Sequence, residues 1–380
     1  MILLSGPNIS GNEWKYVKDC LDTGWISSVG SYVTKFENML AEFSGSKYGV
    51  ATSNGTAALH ISLILLDIKQ GDRVIVPNLT FIASVNSIKY TGADPVFIDV
   101  DPNTWQMDLN LLESFLEENT QIEEKGARLK LNGALIKAIM PVHVLGNMCN
   151  MDKLLSIANK FNLKVVEDST EALGSYYNGK HAGSFGELGC FSFNGNKIIT
   201  CGGGGAIVTD NEGLAKKAKH LTTQAKADSF EYFHDEIGHN YRLVNTSAAI
   251  GVAQMEQLER FIRLKHEIKN FYQEQLSGVG DIEFQSIEKN TNPNWWLFTI
   301  KTERQKDLLK ILNENEMQSR PFWIPMNQLP MFKNDLYVTE NDLSNSIYQR
   351  CLSIPCSTDI TIEQLTSISE TIKKVYVQNF

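Results

Sequence analysis

The sequence predicts an α/β protein in which a mostly parallel sheet lies between helices, followed by a smaller α+β C-terminal domain. Strand-like and helix-like segments alternate over residues 48–220, which is typical of parallel sheets whose crossovers are helices. Two of the strands end near residues that carry chemistry, Asp168 and Lys197. We therefore expect a large domain over residues 1–250 that holds a site, and a small domain over residues 251–380.

The composition is that of an ordinary globular protein. Of the 380 residues, 42% are hydrophobic and 21% are charged, which is consistent with about two domains. A net charge of −9 disfavours a general nucleic-acid binder, because no basic block replaces phosphate counterions. The six cysteines show no CxxC pair, and no apolar run reaches membrane-spanning length. We expect a cytoplasmic protein with reduced thiols, no metal site and no membrane contact.

The first 45 residues predict two helices. The pattern SGNE at residues 10–13 is typical of a capping box before a helix that ends near Gly24, and a second helix ends at Gly45. Between these helices, Ser27 and Ser28 lie on a loop of small polar residues. Turn formation and ligand contact explain these two serines about equally well.

A glycine turn after the first predicted strand, at residues 48–52, opens directly into an apolar helix. The turn and the start of the helix read SNGTAAL. The amides of Gly55, Thr56 and Ala57 therefore lie at a helix start, where the helix dipole favours an anion such as phosphate. A capped helix without a ligand is the competing interpretation, and this segment alone does not decide between the two.

The next part of the chain continues the alternation. We expect strands at 73–77, 95–100 and 137–144, helices at 80–90, 109–116 and 151–161, and a polar surface excursion at 117–132. Phe81 lies just past the first of these strands, where its ring either stacks on a flat ligand or packs in the core. His143 ends the third strand and is placed towards the same crevice, although a lone histidine there is more often structural.

Asp168 and Lys197 form the pair on which the functional interpretation depends. Asp168 ends the predicted strand LKVVED, and Lys197 lies between a strand at 189–193 and the glycine run 202–205. Open α/β sheets bind ligands at the carboxyl ends of their strands, so both side chains are expected to face one crevice. Pyridoxal phosphate needs a lysine for its aldehyde and a carboxylate that keeps its pyridine nitrogen protonated. A helix cap and a surface ion pair are the alternative roles.

The remainder of the chain predicts the link to the small domain and the small domain itself. The expected elements are a hairpin turn at Asn178 and Gly179, strands at 206–209 and 295–300, and helices at 306–313 and 362–375. A polar loop around Asn240 enters the linking helix. Arg320, next to Pro321, is a candidate for binding a carboxylate or a diphosphate, and a surface ion pair is its alternative role.

These segments resemble the DegT/DnrJ/StrS group of sugar aminotransferases, within the fold-type I pyridoxal phosphate enzymes. The resemblance runs nearly end to end and is carried by motifs in order: GSYVTKFE, SNGTAAL, LTFIAS, PVHVLGN, VVEDSTEALGS, FSFNGNKIITCGGGG, GHNYRLVNTSAA and RPFWIPMNQLPMF. It implies a transaminase that uses pyridoxal 5'-phosphate and works as a symmetric homodimer with two shared sites.

The resemblance also implies roles for individual residues. Lys197 would form the Schiff base, Asp168 would pair with the pyridine nitrogen, and Asn240 would reach the phosphate of the partner subunit. The candidate cofactor-binding residues are Gly55, Thr56, Ala57, Phe81, Asp168, Glu171, Ser192, Lys197 and Asn240. The candidate substrate-binding residues are Ser27, Ser28, His143, Arg320 and Asn327. Glu171 and Asn327 depart from the glutamine and histidine that are commoner in the family, which puts a second carboxylate near the cofactor and changes the sugar contacts.

In detail, the sequence is most similar to enzymes that aminate C4 of UDP-linked 4-keto-6-deoxy-N-acetylhexosamines, on routes to bacillosamine and legionaminic acid. We therefore expect glutamate as the amino donor and a UDP-linked 4-keto sugar as the acceptor. The alternatives are GDP-4-keto-6-deoxymannose, as in perosamine synthesis, a 3-keto sugar, or a non-catalytic cofactor-binding sensor. Similar C3 dehydratases carry histidine where Lys197 stands, and the GGGG run lacks the context of a dinucleotide-binding motif.

Overall fold

The protein is described from a computed structural model that covers residues 1–228 and 230–377. The helices are α1 (Glu13–Thr23), α2 (Ser31–Ser44), α3 (Gly55–Leu65), α4 (Ile82–Tyr90), α5 (Leu109–Asn119), α6 (Met151–Lys160), α7 (Glu212–Thr222), α8 (Asn245–Met255), α9 (Leu258–Leu276), α10 (Gln305–Glu314), α11 (Leu343–Arg350) and α12 (Ile362–Val377). The strands are β1 (Tyr48–Thr52), β2 (Arg73–Pro77), β3 (Asp94–Ile98), β4 (Thr120–Glu123), β5 (Gly126–Leu129), β6 (Leu135–Ile139), β7 (Lys164–Asp168), β8 (Tyr176–Tyr177), β9 (Lys180–His181), β10 (Leu188–Ser192), β11 (Gly205–Thr209), β12 (Glu283–Phe284), β13 (Thr291–Asn292), β14 (Phe298–Lys301), β15 (Arg320–Pro321), β16 (Leu336–Val338) and β17 (Cys351–Ile354).

A ten-stranded sheet forms the centre of the fold. Its main path runs in the order β1, β11, β10, β7, β6, β2, β3 and β16, and the hairpin of β4 and β5 joins it through β6. Every neighbouring pair from β10 to β16 is parallel, whereas β11 is antiparallel to both β1 and β10. The prediction of a mostly parallel sheet is confirmed.

The polar stretch at 117–132, predicted as a surface excursion, contains two strands that the prediction missed. Residues 120–123 and 126–129 pair with each other as β4 and β5, and β5 pairs with the start of β6. Solvent reaches this outer hairpin, since Gln121 and Ile122 are both exposed. Such a strand does not need continuous apolar residues, and the polar composition therefore concealed it.

The predicted capping box at the start of α1 does not form. The residue before the helix is Asn12, and its side chain makes no capping hydrogen bond. Glu13 is buried, and its carboxylate accepts hydrogen bonds from Gly11 N, at 2.8 Å, and from Gln254 Nε2, at 2.6 Å. Glu13 is therefore engaged by α8 and does not complete a box with Ser10.

The end of β6 helps to place the site. β6 stops at Ile139, short of the predicted residue 144, because Pro141 has no N–H group to continue the ladder. The chain nevertheless stays next to β7, since Asp168 N donates to Pro141 O at 2.9 Å and His143 N donates to Asp168 O at 3.1 Å. Asp168 is also the register partner of Cys190 in β10. The end of β7 is thus held between both neighbouring strands.

The C-terminal part of the chain forms a second, antiparallel sheet in the order β12, β14, β17 and β15, and α10 and α12 pack against each other beside it. β16 lies outside this sheet and extends the central one beside β3. The division of the chain near residue 250 stays a prediction. No helix within residues 1–228 and 230–377 is both long enough and apolar enough to cross a bilayer.

Candidate active site

The loop that carries Lys197 leaves the carboxyl end of β10. A turn places Lys197 on it, since Lys197 N donates to Asn194 O at 3.0 Å. The loop closes where Phe193 N donates to Gly204 O at 2.8 Å. Gly202 and Gly204 have φ angles of 78° and 145°, which glycine adopts far more readily than other residues. The predicted tight lysine loop before a glycine run is confirmed.

The amine of Lys197 is buried beside a carboxylate and an aromatic ring. Its Nζ lies 4.0 Å from Glu171 Oε1 and 3.8 Å from the ring centroid of Trp296. It donates a hydrogen bond to no acceptor in the described part of the chain. Burial lowers the pKa of Lys197, and the negative charges of Glu171 and Asp168 oppose this effect. A larger share of the amine is therefore neutral, the form that attacks a carbonyl.

Glu171 responds to the same burial in the opposite direction. Burial raises the pKa of Glu171 to about 7, against the effects of Lys197 and of a hydrogen bond from Leu145 N, which lies 2.7 Å from Oε2. The nearby charge of Asp168 adds to the increase. The site therefore contains a carboxyl group that exchanges a proton near neutral pH, next to an amine that does so more readily than an ordinary lysine.

Asp168 does not line the cavity and is fixed by two donors. Ser84 Oγ donates to Oδ2 at 2.6 Å, and Thr170 N donates to Oδ1 at 3.2 Å. No helix follows in residues 169–172, so Asp168 does not act as a helix cap. Ser84 was not predicted from the sequence, although it lies on α4 in the same motif as Phe81, three residues further on.

The start of α3 offers two free amides instead of the three predicted. Asn54 caps the helix, because its Oδ1 accepts from Ala57 N at 2.8 Å. Ala57 is therefore excluded as a backbone donor to a ligand, while Gly55 N and Thr56 N have no partner among the described residues. A Cβ atom on Gly55 would lie 2.8 Å from Ser192 Cβ, so only glycine allows this close approach. The two amides and Ser192 thus converge at one place.

One cavity of about 330 Å³ brings these groups together. The predicted residues on its wall are Gly55, Thr56, Phe81, Glu171, Ser192, Lys197 and Arg320. Its wall also includes Asn194 and Trp323, which lie in two of the quoted motifs but had no role assigned to them, and Trp296, which lies outside every motif. An amine without an acceptor, two free helix-start amides and a half-exposed aromatic ring are the groups that pyridoxal phosphate needs, so the residues present fit this cofactor.

Several other predicted residues lie away from this cavity. His143 is completely buried, and its Nε2 lies 3.0 Å from Glu167 Oε2, so it does not face the crevice as expected. Asn327 exchanges two hydrogen bonds of 2.9 Å with Asn78, one through its side-chain oxygen and one through its N–H group. These partners explain why both residues are withdrawn from the wall.

Arg320, in contrast, lines the cavity and is exposed. No carboxylate of the described residues lies within 4.0 Å of it, which excludes the surface ion pair there.

Glu167 shows why His143 is held in the core. Burial would raise the pKa of Glu167, but the hydrogen bond and charge of His143 and the amides of Gly186 and Gly183 bring it below its ordinary value. Phe185 N also donates to this carboxylate, at 2.6 Å. Successive residues of a strand face opposite sides of the sheet, so Glu167 and Asp168 serve different faces. His143 is therefore a hydrogen-bonding partner of Glu167 in the core.

Three predicted residues lie on loops outside the cavity. Ser27 O accepts from Asn245 N at 2.6 Å, which ties its loop to α8, and Ser28 beside it is half-buried. Asn240 is also exposed, and its Oδ1 accepts from Arg242 at 3.4 Å. The expected contact of Asn240 with a partner subunit, and the ligand contacts of both serines, stay predictions.

Replacing Glu171 by glutamine is expected to move cofactor uptake by the apo-protein to lower pH, by roughly one to two pH units. The carboxylate stabilises the Lys197 ammonium and raises its pKa, so its loss lets the neutral amine persist to lower pH. Glutamine keeps an oxygen that accepts from Leu145 N. The measurement is the rate of cofactor uptake against pH, followed by the absorbance of the lysine-bound form. The control is Glu113→Gln, on α5, which does not line the cavity. A profile that is the same for Glu171→Gln and wild type would contradict the coupling.

Comparison with known proteins agrees with this geometry. Residues 7–373 match the family model of the DegT/DnrJ/EryC1/StrS aminotransferase family. A GDP-perosamine synthase from Escherichia coli O157:H7 is 39% identical over 373 residues, covering 97% of both chains. One from Vibrio cholerae is 36% identical over 381 residues, covering 99% of both chains. A structure described as the PLP form of the putative sugar aminotransferase Spr1654 from Streptococcus pneumoniae has a TM-score of 0.88 and 25% identity, covering 99% of this chain and 98% of that one.

Proposed function

Because the chain belongs to the DegT/DnrJ/EryC1/StrS aminotransferase family, we propose that it transfers an amino group from L-glutamate to the C4 ketone of a nucleotide-linked 4-keto-6-deoxy sugar. Membership of the family makes the protein a pyridoxal phosphate-dependent sugar aminotransferase of fold type I. The observation that carries the proposal is the largely buried amine of Lys197, which has no acceptor among the described residues and lies on a cavity with the amides of Gly55 and Thr56, which are likewise unpaired there.

The nucleotide is the finer part of the proposal. Relatives named GDP-perosamine synthases, at 36% and 39% identity over nearly the whole chain, support GDP-4-keto-6-deoxymannose as the acceptor. The UDP-linked acetamido sugar expected from the motifs is the second candidate. Either sugar presents a ketone at C4, so the chemistry required of Lys197 is the same for both.

We assign tasks in this reaction to Asp168 and to five residues of the cavity wall. When bound, pyridoxal phosphate supplies the aldehyde that carries the amino group and a ring that accepts electrons. Lys197 Nζ binds that aldehyde and, once released, takes the proton from Cα of the amino donor and later delivers one to C4 of the sugar. Asp168 holds a proton at the ring nitrogen. Gly55 N, Thr56 N and Ser192 Oγ bind the phosphate, and Phe81 covers the ring.

We also infer that the working unit is a homodimer. The described surface carries large exposed apolar side chains, including Trp14 at 83% exposure, Leu21 at 63% and Phe230 at 95%. Clusters of such residues mark surfaces that pack against a partner. Asn240 is also exposed, ten residues after Phe230 in the chain, which leaves it available to reach the phosphate in the partner's site. A cytoplasmic location stays a prediction.

The test of the function is a pair of half-reactions followed by absorption spectroscopy. The protein is loaded with pyridoxal phosphate, glutamate is added to convert the cofactor to its amine form, and each nucleotide sugar is then tested for restoring the first spectrum. We expect GDP-4-keto-6-deoxymannose to restore it faster than the UDP-linked acetamido sugar, and the product to carry nitrogen at C4. The opposite preference would select the UDP-linked sugar. Restoration by neither sugar would overturn the C4 assignment, and no response to glutamate would overturn the donor.

A further inference from the structure

Trp296 lies against the reactive lysine without belonging to any motif of the site. Its ring centroid is 3.8 Å from Lys197 Nζ, within the range in which a ring face attracts an ammonium group. Its indole Nε1 donates to Asn196 O at 2.7 Å, so the same side chain also holds the backbone next to Lys197. Trp296 itself is almost completely buried, at 4% exposure. It therefore contacts both the amine and the loop that carries the amine.

Lys265 holds the backbone of Trp296 from the opposite side. Lys265, on α9, is 2% exposed, and its Nζ donates to Trp296 O at 2.8 Å and to Cys356 O at 2.7 Å. Asn294 adds a third constraint, since its Oδ1 accepts from Trp296 N at 2.9 Å. A buried ammonium group is costly unless it is fully paired, and this lysine satisfies two carbonyl groups. The backbone of Trp296 is thus fixed at both its N–H and its C=O group.

We propose that Trp296 is a positioning residue for transamination, whose indole ring orients the Lys197 amine and whose N–H group fixes the lysine loop. The proposal rests on Lys197 as the cofactor-binding lysine, which is part of the proposed function, and not on the identity of the sugar. Lys197 donates no hydrogen bond to a described acceptor, and its nearest carboxylate oxygen is 4.0 Å away. The ring face is therefore the contact that directs the amine when it is not bound to the cofactor.

Loss of the Trp296 ring should change cofactor uptake and proton transfer in opposite directions. An aromatic face stabilises the ammonium form, so its removal lowers the pKa of Lys197 and makes the neutral amine more abundant. The released lysine nevertheless becomes less well oriented over the donor, and misplacement by about 1 Å can slow an enzyme ~100-fold. Loss of the ring should therefore favour cofactor uptake at low pH and slow the proton transfer. A general loss of structure would slow both.

The test uses Trp296→Leu, which keeps an apolar side chain without a ring face, and Trp296→Phe, which keeps a ring without the N–H group. In the apo-protein, uptake of pyridoxal phosphate is measured against pH. The acidic limb of this profile is the pH range in which uptake falls as the pH is lowered. We expect the acidic limb of Trp296→Leu to lie about one pH unit lower than that of wild type, and that of Trp296→Phe to move less. In the loaded protein, kcat of the glutamate half-reaction should fall ~10-fold to ~100-fold in Trp296→Leu, with little change in KM for glutamate.

Trp295 provides the matched control. It is also buried and lies next in the chain, but its cationic neighbour is Lys269, whose Nζ is 5.3 Å from the ring centroid. Trp295→Leu should leave the acidic limb in place. The charged groups facing Lys197, which are Glu171 and Asp168, and Arg320 on the same cavity, are unchanged in every variant.

Several outcomes would overturn the proposal. The first is an unchanged acidic limb in a folded Trp296→Leu protein, and the second is an equal shift of the limb in Trp295→Leu. The third is a rise in KM for glutamate in Trp296→Leu without a loss of kcat. If Trp296→Leu does not fold, the smaller shift of Trp296→Phe decides, and its absence also overturns the proposal. A failure of every nucleotide sugar would contradict the proposed sugar but would leave both measurements intact, because neither uses a sugar.

Discussion

Replacing Lys197 by alanine is expected to abolish transamination and leave the protein folded. No other lysine of the described chain lines the cavity, so no second amine can bind the cofactor aldehyde or move the proton at Cα. The loss of a group with both roles should lower kcat by more than ~10⁴-fold, as for other groups that act as one catalytic unit. Lys197 donates no hydrogen bond to the described residues, and its removal takes away only its contacts with Trp296 and Glu171.

The measurement combines turnover with two structural readouts. Far-ultraviolet circular dichroism and the melting temperature should match those of wild type, and the absorbance of lysine-bound pyridoxal phosphate should be absent. Lys197→Arg is the matched control, because it keeps a positive charge in the cavity but cannot form a Schiff base with the aldehyde. Both variants should be inactive. Turnover that persists in the alanine variant would remove Lys197 from its central role.

The order of elements was accessible from the sequence because each depends on local rules. β1, β2 and β7 are short apolar runs, and Gly24 and Gly45 end α1 and α2 in the left-handed conformation that favours glycine. The turn at Asn178 and Gly179 follows the same logic, since both residues have positive φ angles, of 49° and 76°. In each case the information lies within a few residues of the feature.

The sequence also allowed us to predict that Asp168 and Lys197 lie near each other, for a different reason. Parallel strands end at one edge of a sheet, so Asp168 and Lys197 are brought together by topology before any side chain is placed. The glycine turn before α3 was likewise predicted from the sequence, as a helix start that favours an anion. Glu171, Ser192 and Lys197 line the cavity at these strand ends, and the roles assigned to them stay predictions.

What the sequence did not reveal depends on contacts between distant segments. Ala57 N is occupied by Asn54, His143 is drawn into the core by Glu167, and Asn327 is held by Asn78. Each of these polar groups has several chemically reasonable partners, and only the folded chain selects one. Trp296 and Lys265 illustrate the same limit, because their effect on Lys197 passes through space and leaves no pattern in residue order.

Replacing Asp168 by asparagine is expected to slow the glutamate half-reaction by ~100-fold to ~1,000-fold while preserving the fold and the lysine-bound cofactor. Asparagine has nearly the same shape, its oxygen can still accept from Thr170 N, and the Ser84 hydroxyl can rotate to accept from its amide. What is lost is the negative charge that keeps a proton on the ring nitrogen. Electrons released at Cα are then less well stabilised, although Lys197 is unaltered.

Replacing Ser84 by alanine separates the effect of the Asp168 charge from the effect of the hydrogen bond that orients Asp168. It removes the 2.6 Å hydrogen bond to Oδ2 but leaves the carboxylate in place, so we expect a loss of only ~3-fold to ~10-fold, the kinetic equivalent of about one hydrogen bond. Both variants are compared by stopped-flow conversion of the loaded protein with saturating glutamate. Equal losses would mean that orientation of Asp168, and not its charge, limits the reaction. A wild-type rate in Asp168→Asn would show that the ring nitrogen does not depend on this carboxylate, and the role assigned to the end of β7 would then be wrong.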